Sequence, residues 1–427
     1  MRDWIGFFWL SICVTTPAFA EPHVALVVGN SAYGAVGTLP NPAKDAALLA
    51  DTLKSEGFKA TLVQDATAPI APPTRVALNR PEPTDCDRLA ATPFDPDLPK
   101  GFPGVLKGGE INPDAAIPAC RRALETTPDD RRVRFQLGRA LQSGKKFGEA
   151  KLEYEQAASA GSASAMNNLG VLYKNGWGVA KDYAQERAWL QKAADRGAAD
   201  AQYNLGALYL IGQGVAKDYV QACGWLQKAA DQGHADAQYN MGVFYLNGFG
   251  VAKDYAQARA WFQKAADQGY AIAQNNLGAV YANGQGVAKD YTQARAWFQK
   301  AADQGDAGAQ NSLGQLYMDG LGVAKDYAQA RAWFQKAADQ GNANAQYNLG
   351  AVYGHGQGVA TDYARARAWF QRAADQGVSD AQYNLGVLYL NGQGVAKDYA
   401  QARAWLQRAA DQGDADAIES LKESPRP

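Results

Sequence analysis

Residues 201–233 have the sequence AQYNLGALYLIGQGVAKDYVQACGWLQKAADQG, and close variants of this stretch recur every 36 residues. Two residue types keep that spacing without a slip. They are the glycines Gly170, Gly206, Gly242, Gly278, Gly314, Gly350 and Gly386, and the tryptophans Trp189, Trp225, Trp261, Trp297, Trp333, Trp369 and Trp405. The chain therefore holds seven full copies and a truncated eighth copy at 414–421.

The first half of each copy is typical of an amphipathic helix, which we name helix A. Leu205, Leu208 and Tyr209 recur at helical spacing on one face. Gly206 removes a side chain where a second helix must come close. We expect helix A to end near Gly212.

The second half predicts another helix, helix B, from Asp218 to Gly233. Asp218 is followed three residues later by Gln221, which is the pattern of a capping box. Gly233 offers a left-handed C-cap. The predicted buried stripe is Ala222, Trp225, Leu226, Ala229 and Ala230. The box recurs as Asp254/Gln257, Asp290/Gln293, Asp326/Gln329 and Asp398/Gln401, whereas Asp362 is followed by Arg365.

One such hairpin cannot bury both of its faces, so the copies must stack on their neighbours. The sequence therefore predicts a mainly α fold, a right-handed α/α solenoid of helical hairpin repeats. The tryptophans lie on the apolar stripe of helix B, and we interpret them as core between repeats. The alternative is that they are platforms for a ligand.

The repeated motif resembles the Sel1-like repeat, a relative of the tetratricopeptide repeat, over residues 162–421. Upstream, Phe135-Gln136-Leu137-Gly138 and Ala150 resemble an ordinary tetratricopeptide hairpin with a turn at 143–146. Residues 114–128 resemble the second helix of one more hairpin. We therefore expect leader hairpins at 112–161, a solenoid that begins near residue 112, and a frayed tail at 422–427.

Residues 21–66 differ in kind from the repeats. An apolar strand at 23–29, a helix at about 42–57 and a strand at 58–63 predict a β-α-β unit. Val24-Ala25-Leu26-Val27-Val28-Gly29-Asn30 with Tyr33, then Leu39-Pro40-Asn41-Pro42 and Asp45, is similar to the opening of the caspase-like (metacaspase) peptidase domain. The segment is thus expected to be a truncated caspase-like fragment.

The resemblance to a peptidase implies a Cys nucleophile activated by a His. His23 lies inside the first predicted strand, and the two other histidines, His234 and His355, belong to repeats. After Asp65 the sequence becomes Pro-rich, so we expect a linker at 67–111. These residues predict no catalytic pair, no metal site and no cofactor.

The first twenty residues are typical of a secretory signal. An apolar run from Trp4 to Val14 is followed by Ala18-Phe19-Ala20, and we expect cleavage after Ala20. Lipidation at Cys13 is the alternative. No later stretch approaches the roughly 18 apolar residues of a transmembrane helix. Lys+Arg 42 and Asp+Glu 43 are interleaved, which argues against a nucleic-acid partner.

Export would permit disulfides, and cleavage would leave Cys86, Cys120 and Cys223. Cys86 and Cys120 both precede the repeats, whereas Cys223 stands where sister copies carry Arg. We predict a bridge between Cys86 and Cys120 and a free Cys223. Two buried thiols are the alternative, since spacing does not fix connectivity.

Tetratricopeptide-type solenoids bind extended peptides along the concave face lined by helix A. The resemblance maps this groove onto the two residues before each Leu-Gly or Met-Gly. Amides can both donate to and accept from a peptide backbone, and tyrosines add flat apolar area. The alternative for the asparagines is that they satisfy neighbouring helix backbones. We expect the groove to centre on the Tyr203–Tyr239 end or the Tyr347–Tyr383 end, and its predicted residues are Asn168, Tyr203, Asn204, Tyr239, Asn240, Asn276, Tyr347, Asn348, Tyr383 and Asn384.

The leading hypothesis is a periplasmic or secreted adaptor that holds a protein or peptide partner. A second hypothesis is a degenerate caspase-like endopeptidase that uses its repeats to recruit substrate; the missing Cys/His pair argues against it. A third is glycan binding at the cell wall through exposed aromatic side chains.

Overall fold

The computed structural model describes residues 24–28, 59–63, 84–92, 95, 97–98 and 111–423, and it divides the chain into two units, 1–82 and 83–427. In the first unit, β1 (Val24–Val28) and β2 (Lys59–Val63) pair in parallel. Parallel strands need a crossover connection, in agreement with a β-α-β unit. The helix predicted at 42–57 lies outside the described residues.

The second unit is helical wherever it has regular structure within the described residues. It starts with α1 (Asp85–Ala90), α2 (Pro113–Thr126), α3 (Arg131–Ser143) and α4 (Phe147–Ser159). Helix A of the seven copies is α5 (Ala163–Asn175), α7 (Ala199–Ile211), α9 (Ala235–Asn247), α11 (Ala271–Asn283), α13 (Ala307–Asp319), α15 (Ala343–His355) and α17 (Ser379–Asn391). Helix B is α6 (Tyr183–Asp195), α8 (Tyr219–Asp231), α10 (Tyr255–Asp267), α12 (Tyr291–Asp303), α14 (Tyr327–Asp339), α16 (Tyr363–Asp375) and α18 (Tyr399–Asp411). The truncated copy contributes α19 (Ala415–Glu423).

Each helix packs on the next helix along the chain, within a hairpin and between hairpins. Contacts between nearest neighbours are what defines a solenoid. The mainly α fold and the stack of helical hairpins are therefore confirmed. At the amino-terminal end, α3 also contacts α5 and α5 contacts α7, so successive A helices lie side by side there.

The turn between helices A and B follows from three residues. Helix α7 ends at Ile211, and Gly212 takes the left-handed conformation with φ 78°. One carboxylate oxygen of Asp218 accepts from the N–H groups of Val220 and Gln221, which begins α8. Because the glycine and the aspartate recur in the other copies, the same turn is built each time.

The expectation of a linker over 67–111 is wrong at 85–90, where the structure has α1. Thr84 and Asp87 form both halves of a capping box at its start. The buried side chain of Gln136 on α3 donates to Asp87 Oδ1 at 2.7 Å. These polar contacts stabilise a helix of 6 residues that hydrophobic periodicity does not predict. The compact helical unit thus begins before residue 112.

A disulfide joins Cys86 on α1 to Cys120 on α2, with 4.6 Å between the two Cα atoms. Both cysteines are fully buried. Cys223 is a buried free thiol on α8.

The tryptophans of helix B lie between copies. Trp297 packs against a cluster that combines Phe262 of the preceding copy with Leu277 of its own copy. Trp261 and Trp405 are buried, but Trp225 and the remaining repeat tryptophans are only half-buried. A basic residue three positions later covers the open face of each ring, as Lys264 does at 3.6 Å from the Trp261 centroid. The predicted burial is therefore correct for Leu226, whereas Trp225 is less buried than predicted.

A buried glutamine on helix A links two successive copies. Gln310, only 5% exposed, donates to the carbonyl oxygen of Ala302 in the preceding helix B at 3.3 Å. Its own carbonyl oxygen accepts from Gln340, just past the end of the following helix B, at 2.8 Å. The same pair of bonds is made by Gln202, Gln238, Gln274, Gln346 and Gln382. One amide therefore fixes the register of three helices.

Replacing Gln310 by Leu is expected to lower the free energy of unfolding by about 1 to 2 kcal/mol, because the bonds to Ala302 and Gln340 are lost inside the stack. Guanidinium-induced unfolding followed by circular dichroism would measure the change. Gln315→Leu on the same helix is the control, since Gln315 is exposed and bonds only Asp319 among the described residues. Equal unfolding midpoints for the two variants would contradict a stabilising role for the hydrogen bonds of Gln310.

Candidate functional site

The predicted groove residues occupy the fifth and sixth positions of each helix A. We call the surface that these positions form along the stack the A face. All ten predicted residues are half-buried: Asn168, Tyr203, Asn204, Tyr239, Asn240, Asn276, Tyr347, Asn348, Tyr383 and Asn384. The structure thus brings them together as neighbours on successive A helices.

Several of these side chains bond one another across copies. Asn204 donates to Asn167 Oδ1 at 2.9 Å, and Asn348 donates to Asn311 Oδ1 at 2.9 Å. The hydroxyl of Tyr203 bonds Asn240. Tyr239 pairs with Asn276 and Tyr347 pairs with Asn384 in the same way. The A face is therefore a hydrogen-bonded surface that ties each copy to the next.

Within the residues that the structure describes, two of the asparagines bond the backbone of their own helix and not that of a neighbouring helix. Asn276 donates to the carbonyl of Ile272 at 2.9 Å, and Asn384 donates to the carbonyl of Asp380 at 2.8 Å. The Tyr239 ring also packs against Phe262, with 5.9 Å between the centroids. These residues therefore support the stack, and partner binding by them stays a prediction.

A cavity of about 360 Å³ opens on the A face at its amino-terminal end. It spans four successive A-type helices, α3, α5, α7 and α9. Its lining is mostly polar and consists of Thr92, Phe135, Arg139, Ser164, Asn167, Asn168, Ala198, Ala199, Asp200, His234 and Asp236. We call it the acidic cavity.

A second cavity, of about 470 Å³, lies beside the first and shares Arg139 and Asn168 with it. We call it the aromatic cavity. Trp177, 37% exposed, stacks on Phe147 with 5.3 Å between the centroids. Its remaining lining residues are Ile111, Gln142, Ser143, Lys145 and Tyr154. The two cavities form neighbouring recesses that an extended segment could occupy together.

Tyr154 fixes the boundary between the two cavities. Its hydroxyl accepts from Asn168 Nδ2 at 3.0 Å and bonds Gln142 Oε1 at 2.9 Å. Complete burial raises the pKa of this hydroxyl above its ordinary value, so the group stays protonated and can donate to Gln142. Asn168 is thereby held in one orientation at the junction.

His234 organises the far wall of the acidic cavity. Its Nδ1 accepts from the Ala237 N–H at the start of α9, and its Nε2 lies 3.5 Å from Asp200 Oδ1. Its ring stacks on Tyr203, with 4.6 Å between the centroids. Burial, together with the charge of Asp236, raises the pKa of the Tyr203 hydroxyl. The wall is thus a packed set of aromatic and acidic groups.

A buried carboxyl group lies next to the floor of the acidic cavity. Ser164, which lines the cavity, donates to Asp95 Oδ1 at 3.1 Å. Burial raises the pKa of Asp95 to about 6, against the opposing effect of its hydrogen bonds. The carboxylate is therefore harder to form here than at a surface.

Sequence reasoning did not select Arg139, Asp200, His234, Asp236 or Trp177. The available signal was variation between copies. At the position of His234 the other copies carry Ser162, Ala198, Tyr270, Asp306, Asn342, Val378 and Asp414. The residue type varies at this position while the core repeats, so its side chain differs from copy to copy.

Within the described residues, no group of His, Cys, Asp and Glu side chains is placed to hold a metal ion. His234 and His355 lie on different copies of the solenoid, and the side chain of His23 lies outside the described residues. No helix in the described part of the chain is both long and apolar enough to cross a membrane.

Comparison with protein families finds two matches. The Sel1 repeat model matches seven segments, 163–197, 199–234, 235–270, 271–306, 307–342, 343–378 and 379–414, in agreement with the seven copies counted from the sequence. The caspase domain model matches residues 22–78. No curated protein matches the chain.

Several crystal structures are similar to the solenoid, among them the following two. One is a protective antigen of uropathogenic Escherichia coli strains that displays an SLR fold, with 38% identity and a TM-score of 0.64. The alignment covers 71% of this chain and 66% of the antigen, so this chain spans just under two thirds of that protein. The other is a Sel1 repeat protein from Oxalobacter formigenes, with 34% identity and a TM-score of 0.53, covering 56% of this chain and 96% of that one.

Proposed function

The chain belongs to the Sel1 repeat family, and from that premise we propose that it is a non-catalytic scaffold of the cell envelope that holds a protein partner along the A face. Sel1 repeat proteins are in general non-enzymatic scaffolds for protein interaction. Beyond this general role, we propose that the A face is the binding surface and that the protein works in the cell envelope.

The observation that carries the proposal is the pair of adjoining cavities on the A face. They meet at Arg139 and Asn168, and together they extend from Trp177 to Asp236. An extended peptide needs such a row of recesses lined by polar groups and aromatic side chains. This position favours the amino-terminal end of the predicted groove, next to Tyr203, over the Tyr347–Tyr383 end.

The location in the envelope is proposed from the sequence. Residues 1–20 have the pattern of a secretory signal with cleavage after Ala20. The bridge between Cys86 and Cys120 suits an oxidising compartment. We therefore place the mature chain in the periplasm or outside the cell.

The absence of catalysis is likewise part of the proposal. The caspase domain match is confined to 22–78, and the sequence contains three histidines, of which two belong to repeats. A cysteine peptidase needs a His beside its thiolate nucleophile. Cys86 and Cys120 are bonded to each other, so neither is available as that nucleophile.

Site-specific photo-crosslinking tests the proposed surface. A photoreactive amino acid in place of Asn168, in the mature chain from Glu21, is expected to capture a discrete protein from a cell-envelope extract. The same amino acid in place of Ala332, an exposed residue on α14, is the control. Capture at Ala332 but not at Asn168, or at neither position, would refute binding along the A face.

A further inference from the structure

The acidic cavity carries more negative than positive charge. Asp200 and Asp236 are both half-exposed and line it, and Arg139 is its one arginine or lysine. The guanidinium of Arg139 donates to the carbonyl of Ala90 at 2.6 Å and also attracts the carboxylate of Asp200. His234 contacts Asp200 but not Asp236 among the described residues. The cavity thus presents at least one carboxylate without a cationic partner.

Asp236 is that carboxylate. Within the described part of the chain it forms no ion pair, and its polar contact is the hydroxyl of Tyr270. Burial and this bond to Asp236 raise the pKa of Tyr270 above its ordinary value, so the hydroxyl donates to the carboxylate. A hydroxyl solvates the charge without neutralising it.

The fold does not require these charges. The equivalent positions in the next three copies are Ile272, Gly308 and Asn344, all in the first turn of helix A. The glutamine bridge and the helix A glycine are the same in all of those copies. Because helix A also forms with apolar, small or neutral residues there, and carries aspartate again at Asp380 and Asp416, the stack does not depend on these two charges.

We infer that the segment bound on the A face inserts a basic side chain, lysine or arginine, into the acidic cavity between Asp200 and Asp236. This inference rests on the proposed function and names the chemistry of its partner. The charge of the side chain complements the two carboxylates.

Selection from a random peptide library displayed on phage tests the inference on the full mature chain. We expect the enriched peptides to carry Lys or Arg. The double variant Asp200→Asn/Asp236→Asn is expected to bind a selected peptide about tenfold more weakly, and the difference should disappear when Gln replaces the basic residue of the peptide. High salt should also weaken binding to the wild-type chain.

Asp380→Asn is the matched control, since Asp380 has the same position in the first turn of α17 and lies outside the cavity. It should leave the affinity of the peptide within twofold of wild type. Enriched peptides without basic residues, equal weakening in the control, or no enrichment at all would overturn the inference. Crosslinking at Asn168 separates the two proposals, because protein capture there without selection of basic peptides would leave the proposed function standing alone.

Discussion

Gly314→Ala is expected to lower the free energy of unfolding by about 2 kcal/mol, although alanine favours a helix more than glycine does. A Cβ atom at Gly314 would lie 2.5 Å from ring carbons of Phe334, far inside van der Waals contact. Phe334 is 1% exposed and packed in a buried cluster. Its ring therefore cannot move away from the added Cβ atom. The two helices must then separate, which weakens the stack on both sides of the hairpin.

The control is the same substitution on an exposed helix surface. Gly224 lies inside α8, and a Cβ atom there would meet nothing within 4 Å. Gly224→Ala is therefore expected to stabilise the chain by up to about 1 kcal/mol through helix propensity alone. Chemical denaturation of both variants under one set of conditions should move the midpoint in opposite directions. A shift of the same sign in both would show that close packing at Gly314 is not what selects glycine.

Removing the disulfide with Cys86→Ala/Cys120→Ala is expected to destabilise the amino-terminal helices by about 4 kcal/mol. The bridge spans 34 residues, and closing a loop of that length restricts the unfolded chain by about this amount. The loss should fall on α1 and α2, because neighbouring hairpins of a solenoid are coupled only through their shared interfaces. Hydrogen exchange resolved by peptide would show faster exchange at 113–126 than in the later copies.

Reductant supplies the control for the disulfide. Treatment with a thiol reductant should reproduce the effect in the wild-type chain and change nothing in the double variant. Cys223→Ala should keep the response to reductant, since Cys223 is a free thiol on α8. An equal loss of protection from hydrogen exchange along all copies would contradict a local role for the disulfide between Cys86 and Cys120.

The hairpins could be predicted from the sequence because the same motif for helix A and helix B recurs in seven copies. Gly212 and Asp218 fix where helix A ends and helix B begins, and the structure places both boundaries within a residue of them. Local chemistry decides these positions, so no knowledge of distant contacts is needed.

Contacts outside the period could not be predicted in the same way. Helix α1 depends on Asp87 accepting from Gln136, which lies 49 residues away. Trp225 is half-buried and Trp261 is buried, although a lysine three residues later covers each ring. A pattern of apolar residues predicts neither the helix nor this difference in burial.

The candidate site, too, could be predicted from the sequence only in part. The position of the A face on helix A follows from helical spacing, whereas binding by its ten residues stays a prediction. The cavities form where the leader helix α3 meets α5, and two of the residues that shape them, Arg139 and Phe147, belong to no repeated motif. Their juxtaposition depends on the three-dimensional join between two kinds of hairpin.

The glutamine bridge also bears on how the gene for this protein can change. Gln274 and Gln310 make the same two bonds, each to the helix B before it and the helix B of its own copy. Deleting one whole copy, such as 271–306, would let Gln310 bond the carbonyl of Ala266 in place of Ala302. Unequal recombination between copies can therefore shorten or lengthen the array in steps of one hairpin, changing its reach while every remaining joint stays the same.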